Sequence, residues 1–174
     1  MKERRNPISL AALFVLMMFF QSAIVSAGMI NIKDEGAEGD GVSNDTAAIK
    51  EVLEDIGKKS AVIEISEGTF VVDKISFPEN VTLKFNGGRI SVPKDGSVEI
   101  NGVIDAGICE IFTGEGEVKG SVKNLYVYPQ WFGAKGDEKN DDAPAIHKAA
   151  ALAKTSSGRT LFIPGGRYLI GSKI

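Results

Sequence analysis

The chain has 174 residues, a net charge of −3, 43% hydrophobic and 25% charged residues, one cysteine and one histidine. That is room for one or two small domains and too apolar for bulk disorder. One Cys and one His build neither a disulfide framework nor a zinc cluster, and 20 glycines against 7% aromatics favour a turn-rich β protein over a helical bundle.

Residues 1–27 have the three-part plan of a secretory signal. Lys2, Arg4 and Arg5 form a basic start, Ile8 to Phe20 an apolar run, and Val25-Ser26-Ala27 a small-residue cleavage site. The apolar run is shorter than the roughly 20 residues needed to span a bilayer, and no cysteine follows the small residues to take a lipid. The expectation is export, to a secreted or periplasmic location, with no membrane attachment after cleavage at Ala27. Cleavage leaves 22 acids and 17 bases, a charge of −5. An acidic surface argues against nucleic acid as a partner, because phosphate binding takes a basic stripe.

After the signal comes a glycine turn, Gly36-Ala37-Glu38-Gly39-Asp40, and then an apolar stripe at helical spacing: Ala48, Ile49, Val52, Leu53 and Ile56. Asp45 is expected to N-cap this helix with its carboxylate, and Gly57 to end it. The period then changes to two. Val62–Ile65, Thr69–Val72, Val81–Phe85, Arg89–Val92 and Ser97–Ile100 read as short strands, with weaker candidates at Gly102–Ile104, Cys109–Phe112 and Ser121–Val127. Turns rich in Gly, Asn and Pro separate them. Short, closely spaced strands fit a sandwich, a barrel or a β-solenoid, and the scarcity of two-residue hairpin signals favours the solenoid.

The glycine turn then returns. Gly133-Ala134-Lys135-Gly136-Asp137 repeats Gly36–Asp40 at an offset of 97, which also carries Asn44-Asp45 onto Asp141-Asp142 and Ala48-Ile49 onto Ala145-Ile146. With one inserted residue, Ile63-Glu64-Ile65 falls on Leu161-Phe162-Ile163, and Gly68-Thr69-Phe70 on Gly166-Arg167-Tyr168. Asp141 or Asp142 caps the second helix, Pro144 lies in its first turn, and Ala145, Ile146, Ala149, Ala150 and Ala153 form its stripe. The small alanines let this helix lie close to whatever it covers.

The run from Phe132 to Asp137, followed by Asp141-Asp142, Ala145-Ile146 and Leu161–Ile170, resembles the start of the pectate lyase superfamily, the N-terminal module of rhamnogalacturonases, polygalacturonase-like enzymes and phage tailspikes. Residues 36–85 resemble the same pattern. The resemblance implies an all-β fold with short capping helices: a right-handed parallel β-helix whose open end the helix covers. Such a cap is physically required, since a terminal coil exposes apolar side chains and unpaired strand edges. The expected organisation is a signal peptide at 1–27, a first β-helix module with its cap helix at 28–127, and the start of a second, incomplete module at 128–174. The second copy has Glu138 and Ala143 where the family's run has Gly and Thr, and it stops where its first full coil should begin. The chain therefore reads as a fragment. The function implied is polysaccharide processing, of lyase or hydrolase type, with the catalytic coils missing. The alternative is a non-enzymatic cell-surface or tailspike-like module that binds carbohydrate or serves a structural role. In either case the open final coil is a place where copies could associate.

No residue pattern identifies a catalytic site or a cofactor, and calcium enters by the resemblance alone. Asp141-Asp142 could be paired carboxylates of a glycosidase, but Asp45 stands at the same place in the first copy, which favours capping. Asp137, Asn140, Asp141 and Asp142 fail as an EF-hand, with Lys139 at the third position and Lys148 at the twelfth. A lyase-like elimination needs a basic proton abstractor. Lys84, Arg89, Lys119 and Lys123 are available, and nothing in their spacing selects one. His147 reads as a solvated helix residue, and Cys109 as a small buried hydrophobe. Tyr126, Tyr128, Trp131 and Phe132 could stack on sugars, though a packed joint between the modules is favoured. Asn44-Asp45-Thr46 and Asn80-Val81-Thr82 match the glycosylation sequon, each with a competing cap or turn role.

Overall fold

A computed structural model describes residues 28–171. The secretory signal expected at 1–27 lies outside the described residues. Among the described residues the chain is mostly β with two helices, and every ladder is parallel. In chain order the elements are β1 (Met29–Asn31), β2 (Asp40–Asn44), α1 (Thr46–Ile56), β3 (Ala61–Val71), β4 (Ile75–Phe77), β5 (Val81–Ser91), β6 (Ser97–Ile100), β7 (Val103–Asp105), β8 (Phe112–Thr113) and β9 (Glu117–Lys119). A 3-10 turn at Pro129–Phe132 leads to β10 (Asp137–Asp141), α2 (Ala143–Thr155) and β11 (Arg167–Leu169).

The largest sheet runs β1-β3-β5-β7, with β2 on β3 and β8 on β5; a second runs β4-β6-β9, and a third pairs β10 with β11. Between β3 and β5, and onward through both larger sheets, each residue's partner lies 20 to 23 residues further along the chain. Parallel neighbours cannot be joined by a tight hairpin, so each of these intervals makes a full return. Where a helix intervenes the return is longer: Met29 pairs with Val62 and Val127 with Leu161.

The strands are longer than local patterning indicates. The turns expected at Glu67-Gly68 and Asn86-Gly87-Gly88 lie inside β3 and β5, where the register shifts at Ser66 and the strands bend without separating. Gly68 and Gly88 stand opposite each other there, and a side chain on Gly88 would run into the Ser66 carbonyl. Alternation sets the core. Ile63, Ile65, Leu83, Ile90, Val98 and Ile100 are fully buried, and with residues from both helices they form one apolar cluster from Ile32 to Ala153.

The helices follow the apolar stripes. α1 buries Thr46, Ile49, Val52 and Ile56. α2 buries a wider face, Ala143, Ala145, Ile146, Ala149, Leu152 and Ala153. This second helix lies against β9 and the 3-10 turn. Its Lys148 Nζ donates to the Gly114 carbonyl at 2.8 Å, and Thr155 donates to the Gly120 carbonyl.

Capping differs from the expectation at the first helix, where Asp45 does not serve, and at the second it falls to Asp141, one of the two residues expected. Asp45 and Asp142 occupy the N-cap positions, yet neither side chain bonds a first-turn amide. The residues before them do so: Asn44 Oδ1 accepts the Thr46 N–H and Asp141 Oδ1 the Ala143 N–H, each at 3.0 Å. Asp45 and Asp142 are buried and turned inward, toward the glycine loops. Cys109 is a second correction: it is exposed. It sits in the irregular segment between β7 and β8, where no ladder imposes the alternation that would have turned it into the core.

Candidate functional site: a groove beside the second sheet

Strands β4, β6 and β9 turn Ile75, Phe77, Val98 and Ile100 into the core, so strict alternation sends Ser76, Ser97 and Glu99 outward. Parallel register then aligns these outward positions into rows. Ser76 stands opposite Glu99 and Glu99 opposite Lys119, while Ser97 stands opposite Glu117. Helix α2 forms the facing wall with Lys148, Ala151 and Thr155, and the groove between them has a volume of about 920 Å³.

The charges along this groove are held fixed. Asn101 donates to Glu99 Oε1 at 3.1 Å. That bond first, and then one from Ser76 and the field of Lys119, hold the Glu99 carboxyl below its ordinary value. Lys119 Nζ donates to Glu117 Oε2 at 2.8 Å. The hydrogen bond and charge of Glu117, with a smaller contribution from Glu99, hold the ammonium above its ordinary value. A general acid or base works best with a pKa near the operating pH. Glu99 and Lys119 are both pushed away from neutrality, toward permanent charge. Such groups suit hydrogen bonding to hydroxyl-rich ligands, not proton transfer.

The other base candidates are dispersed. Lys84 and Arg89 lie on β5, in the other large sheet, with Arg89 3.9 Å from Glu110. Lys84 stands in register between Glu64 and Asp105. Lys123 follows β9 and pairs with Glu79 at 3.2 Å. The structure does not bring these four together. His147 is exposed on α2.

The acids of the second glycine loop accept hydrogen bonds from the protein's own amides. Asp137 accepts the N–H groups of Lys139 and Asn140 on Oδ1 and the Asn140 amide on Oδ2. Asp141 Oδ1 accepts from Ala143 and Gly171, and Asp142 from Lys135 and Gly136. Amides of the loop and its neighbours thus engage both oxygens of Asp137 and of Asp142, and Oδ1 of Asp141. Among the described residues no group of three or more His, Cys, Asp or Glu is arranged to hold a metal.

The aromatic cluster divides in two. Trp131 is buried, with Nε1 donating to the Gly107 carbonyl at 3.0 Å, and Phe132 packs on Phe112 at 5.4 Å between ring centroids. These two join the segment after β7 to the second glycine loop. Tyr126 and Phe162 are exposed and lie 5.3 Å apart. Of the sequons, Asn80 has its amide nitrogen engaged by the carbonyls of Gly57 and Lys59 at 3.1 and 2.6 Å. Asn44 serves the helix, as above.

Sequence reasoning missed Glu99, Asn101 and Lys148 as neighbours of Lys119. The outward position of Glu99 was legible in the Ser97–Ile100 alternation. Its partner 20 residues away was not, because nothing local encodes parallel register.

A search of the curated proteins and one of the solved structures each find no match. The family model described as rhamnogalacturonase A/epimerase, pectate lyase-like, matches residues 29–128 and 130–174, nearly all of the chain outside the first 28 residues. The parallel ladders, the twice-used glycine loop and this match agree, and the chain belongs to the rhamnogalacturonase A/epimerase, pectate lyase-like family.

Proposed function

We propose that this is an exported, polysaccharide-processing protein built on a right-handed parallel β-helix. Its first module spans 28–127 and a second begins at 128. In this reading the present chain binds the polymer and the catalytic coils are not among these residues. The observation that carries it is the groove between β6, β9 and α2, inside a chain that belongs to a polysaccharide-processing family. Two in-register pairs line it, Glu99 beside Lys119 and Ser97 beside Glu117, at the strand spacing of about 4.8 Å, and fixed charges and amides bond sugar hydroxyls well. Calcium has no part in this reading, nor has nucleic acid, and no membrane contact remains after signal cleavage.

The test is isothermal titration with oligogalacturonides and with neutral oligosaccharides, alongside ultraviolet detection of unsaturated uronate product. The expected result is binding that Lys119→Ala and Glu99→Gln each weaken, without product. Product formation by the chain overturns the binding-only assignment, and the lack of any sugar binding overturns the groove.

A second reading, a structural or surface module without sugar chemistry, is favoured by one observation: Ile163, Leu169 and Ile170 are 41–47% exposed at one edge of the molecule. In that reading the edge associates with other copies.

A further inference from the structure

The groove between β6, β9 and α2 does not stop at the strand ends. A second cavity of about 490 Å³ shares Asn101 and Ser121 with it and runs on past Pro78 and Ser157. The two make one continuous track, whose floor and facing wall both belong to the described residues.

Charge decides what such a track can hold. Four acids line the groove: Asp95, Glu99, Glu115 and Glu117. Three lysines accompany them, Lys94, Lys119 and Lys148, and among the described residues no arginine lines either cavity. Four acids against three lysines leave the groove one charge negative. Two of the lysines are already engaged: Lys119 Nζ bonds Glu117 and Lys148 Nζ bonds the Gly114 carbonyl, each at 2.8 Å. Lys94 directly precedes Asp95 in the turn before β6. The second cavity repeats the pattern, with its Lys123 paired to Glu79 at 3.2 Å. Among the described residues neither Asp95 nor Glu115 has a basic nitrogen within 4 Å.

A polymer that carries an acid on each ring meets this lining badly. A carboxylate is held by a cation free to bond it, best by the two-pronged fork of arginine. Here it would displace an existing pair or lie beside carboxylates, where like charges repel. A hydroxyl needs neither, because it donates and accepts at once. Neutral rings can donate to Glu99 and Glu117 and accept from Lys119 and Lys148 while the ion pairs stay intact.

We propose that this track binds an extended, uncharged glycan and discriminates against polyuronates. The proposal rests on the reading of the groove as a polysaccharide site and adds the class of polymer. The continuation of the groove past Asn101 and Ser121 suits a chain of several rings and not a single sugar.

The experiment is isothermal titration of the chain with ligands of equal length. These are the neutral hexaoses of glucose, mannose and galactose, a hexagalacturonide, and the same hexagalacturonide with every carboxyl methyl-esterified. The ester removes the charge and keeps the rings. The tightest binding is expected from an uncharged ligand, with the free hexagalacturonide weaker by about tenfold or more at low salt. High salt is expected to narrow that gap by screening the groove's charges. The double substitution Asp95→Asn and Glu115→Gln, at exposed positions, is expected to narrow it as well. A free hexagalacturonide that binds as tightly as any uncharged ligand overturns the proposal and leaves the polysaccharide reading standing. A gap indifferent both to salt and to the double substitution overturns it too. Failure of every ligand to bind overturns the polysaccharide reading, and the proposal with it.

Discussion

Asp45 and Asp142 stand 97 residues apart and hold their glycine loops in the same way. The Asp45 carboxylate accepts the N–H groups of Glu38 and Gly39 at 2.7 and 3.3 Å, and that of Asp142 the N–H groups of Lys135 and Gly136 at 2.7 and 3.2 Å. Their backbones match too, with Asp45 N–H donating to Val71 and Asp142 N–H to Leu169, each at 2.8 Å. The buried carboxylate ties loop, helix and strand at one point.

Replacing Asp45 with alanine leaves those loop amides, and the Val71 N–H that also donates to it at 3.1 Å, without a partner. Buried donors left unmade cost about 1–3 kcal/mol each, partly recovered by water. Asp45→Ala is expected to destabilise by about 3 kcal/mol, and Asp45→Asn by less. Urea unfolding measures both. A midpoint unchanged by Asp45→Ala would show that the loop is held by other means.

Two glycines in the first loop separate backbone strain from steric contact. Gly36 and Gly39 both have positive φ, +91° and +64°. A methyl group at Gly36 meets nothing within 4 Å, whereas at Gly39 it falls 2.6 Å from the Phe70 ring. Gly36→Ala is expected to cost about 1 kcal/mol from the left-handed backbone alone. Gly39→Ala adds overpacking of about 1–3 kcal/mol. Equal losses in chemical denaturation would contradict the contact with Phe70.

Acid sensitivity resides in the loop carboxylates. Backbone N–H groups of Val42 and Ser43 hold Asp40 below its ordinary 3.8, those of Asn140 and Lys139 do the same for Asp137, and those of Gly171 and Ala143 for Asp141. A depressed folded-state pKa contributes stability above the unfolded value, and that stability is lost as pH falls through the folded value. Melting temperature is therefore expected to be flat in these groups from pH 7 to about 5 and to drop below about 4. Asp137→Asn is expected to flatten part of that drop, as read by calorimetry.

Ligand binding in the groove should follow the opposite logic. Glu99 is held ionised by Asn101, Ser76 and Lys119, and Lys119 is held charged chiefly by Glu117. Neither changes charge between about pH 5 and 10, given ordinary values near 4 and 10 moved outward. Oligosaccharide affinity measured across that range is expected to be level. A bell-shaped profile centred near neutrality would point to a titrating group that this groove does not contain.

Local chemistry alone determined a good deal of this molecule. The two glycine loops, the two helices and the inward alternation of Val98 and Ile100 are legible because each depends on residues a few positions apart. Family membership was legible for the same reason, as the loop and stripe occur twice in fixed order. The tertiary structure decided what depends on distant partners. It joined β3 through its expected turn, since pairing with β5 continues across the bend. It also turned Asp45 inward to the loop and left the cap to Asn44, and placed Glu99 opposite Lys119. Parallel strands meet only after a full return of the chain, and nothing in either segment records how far away its partner lies.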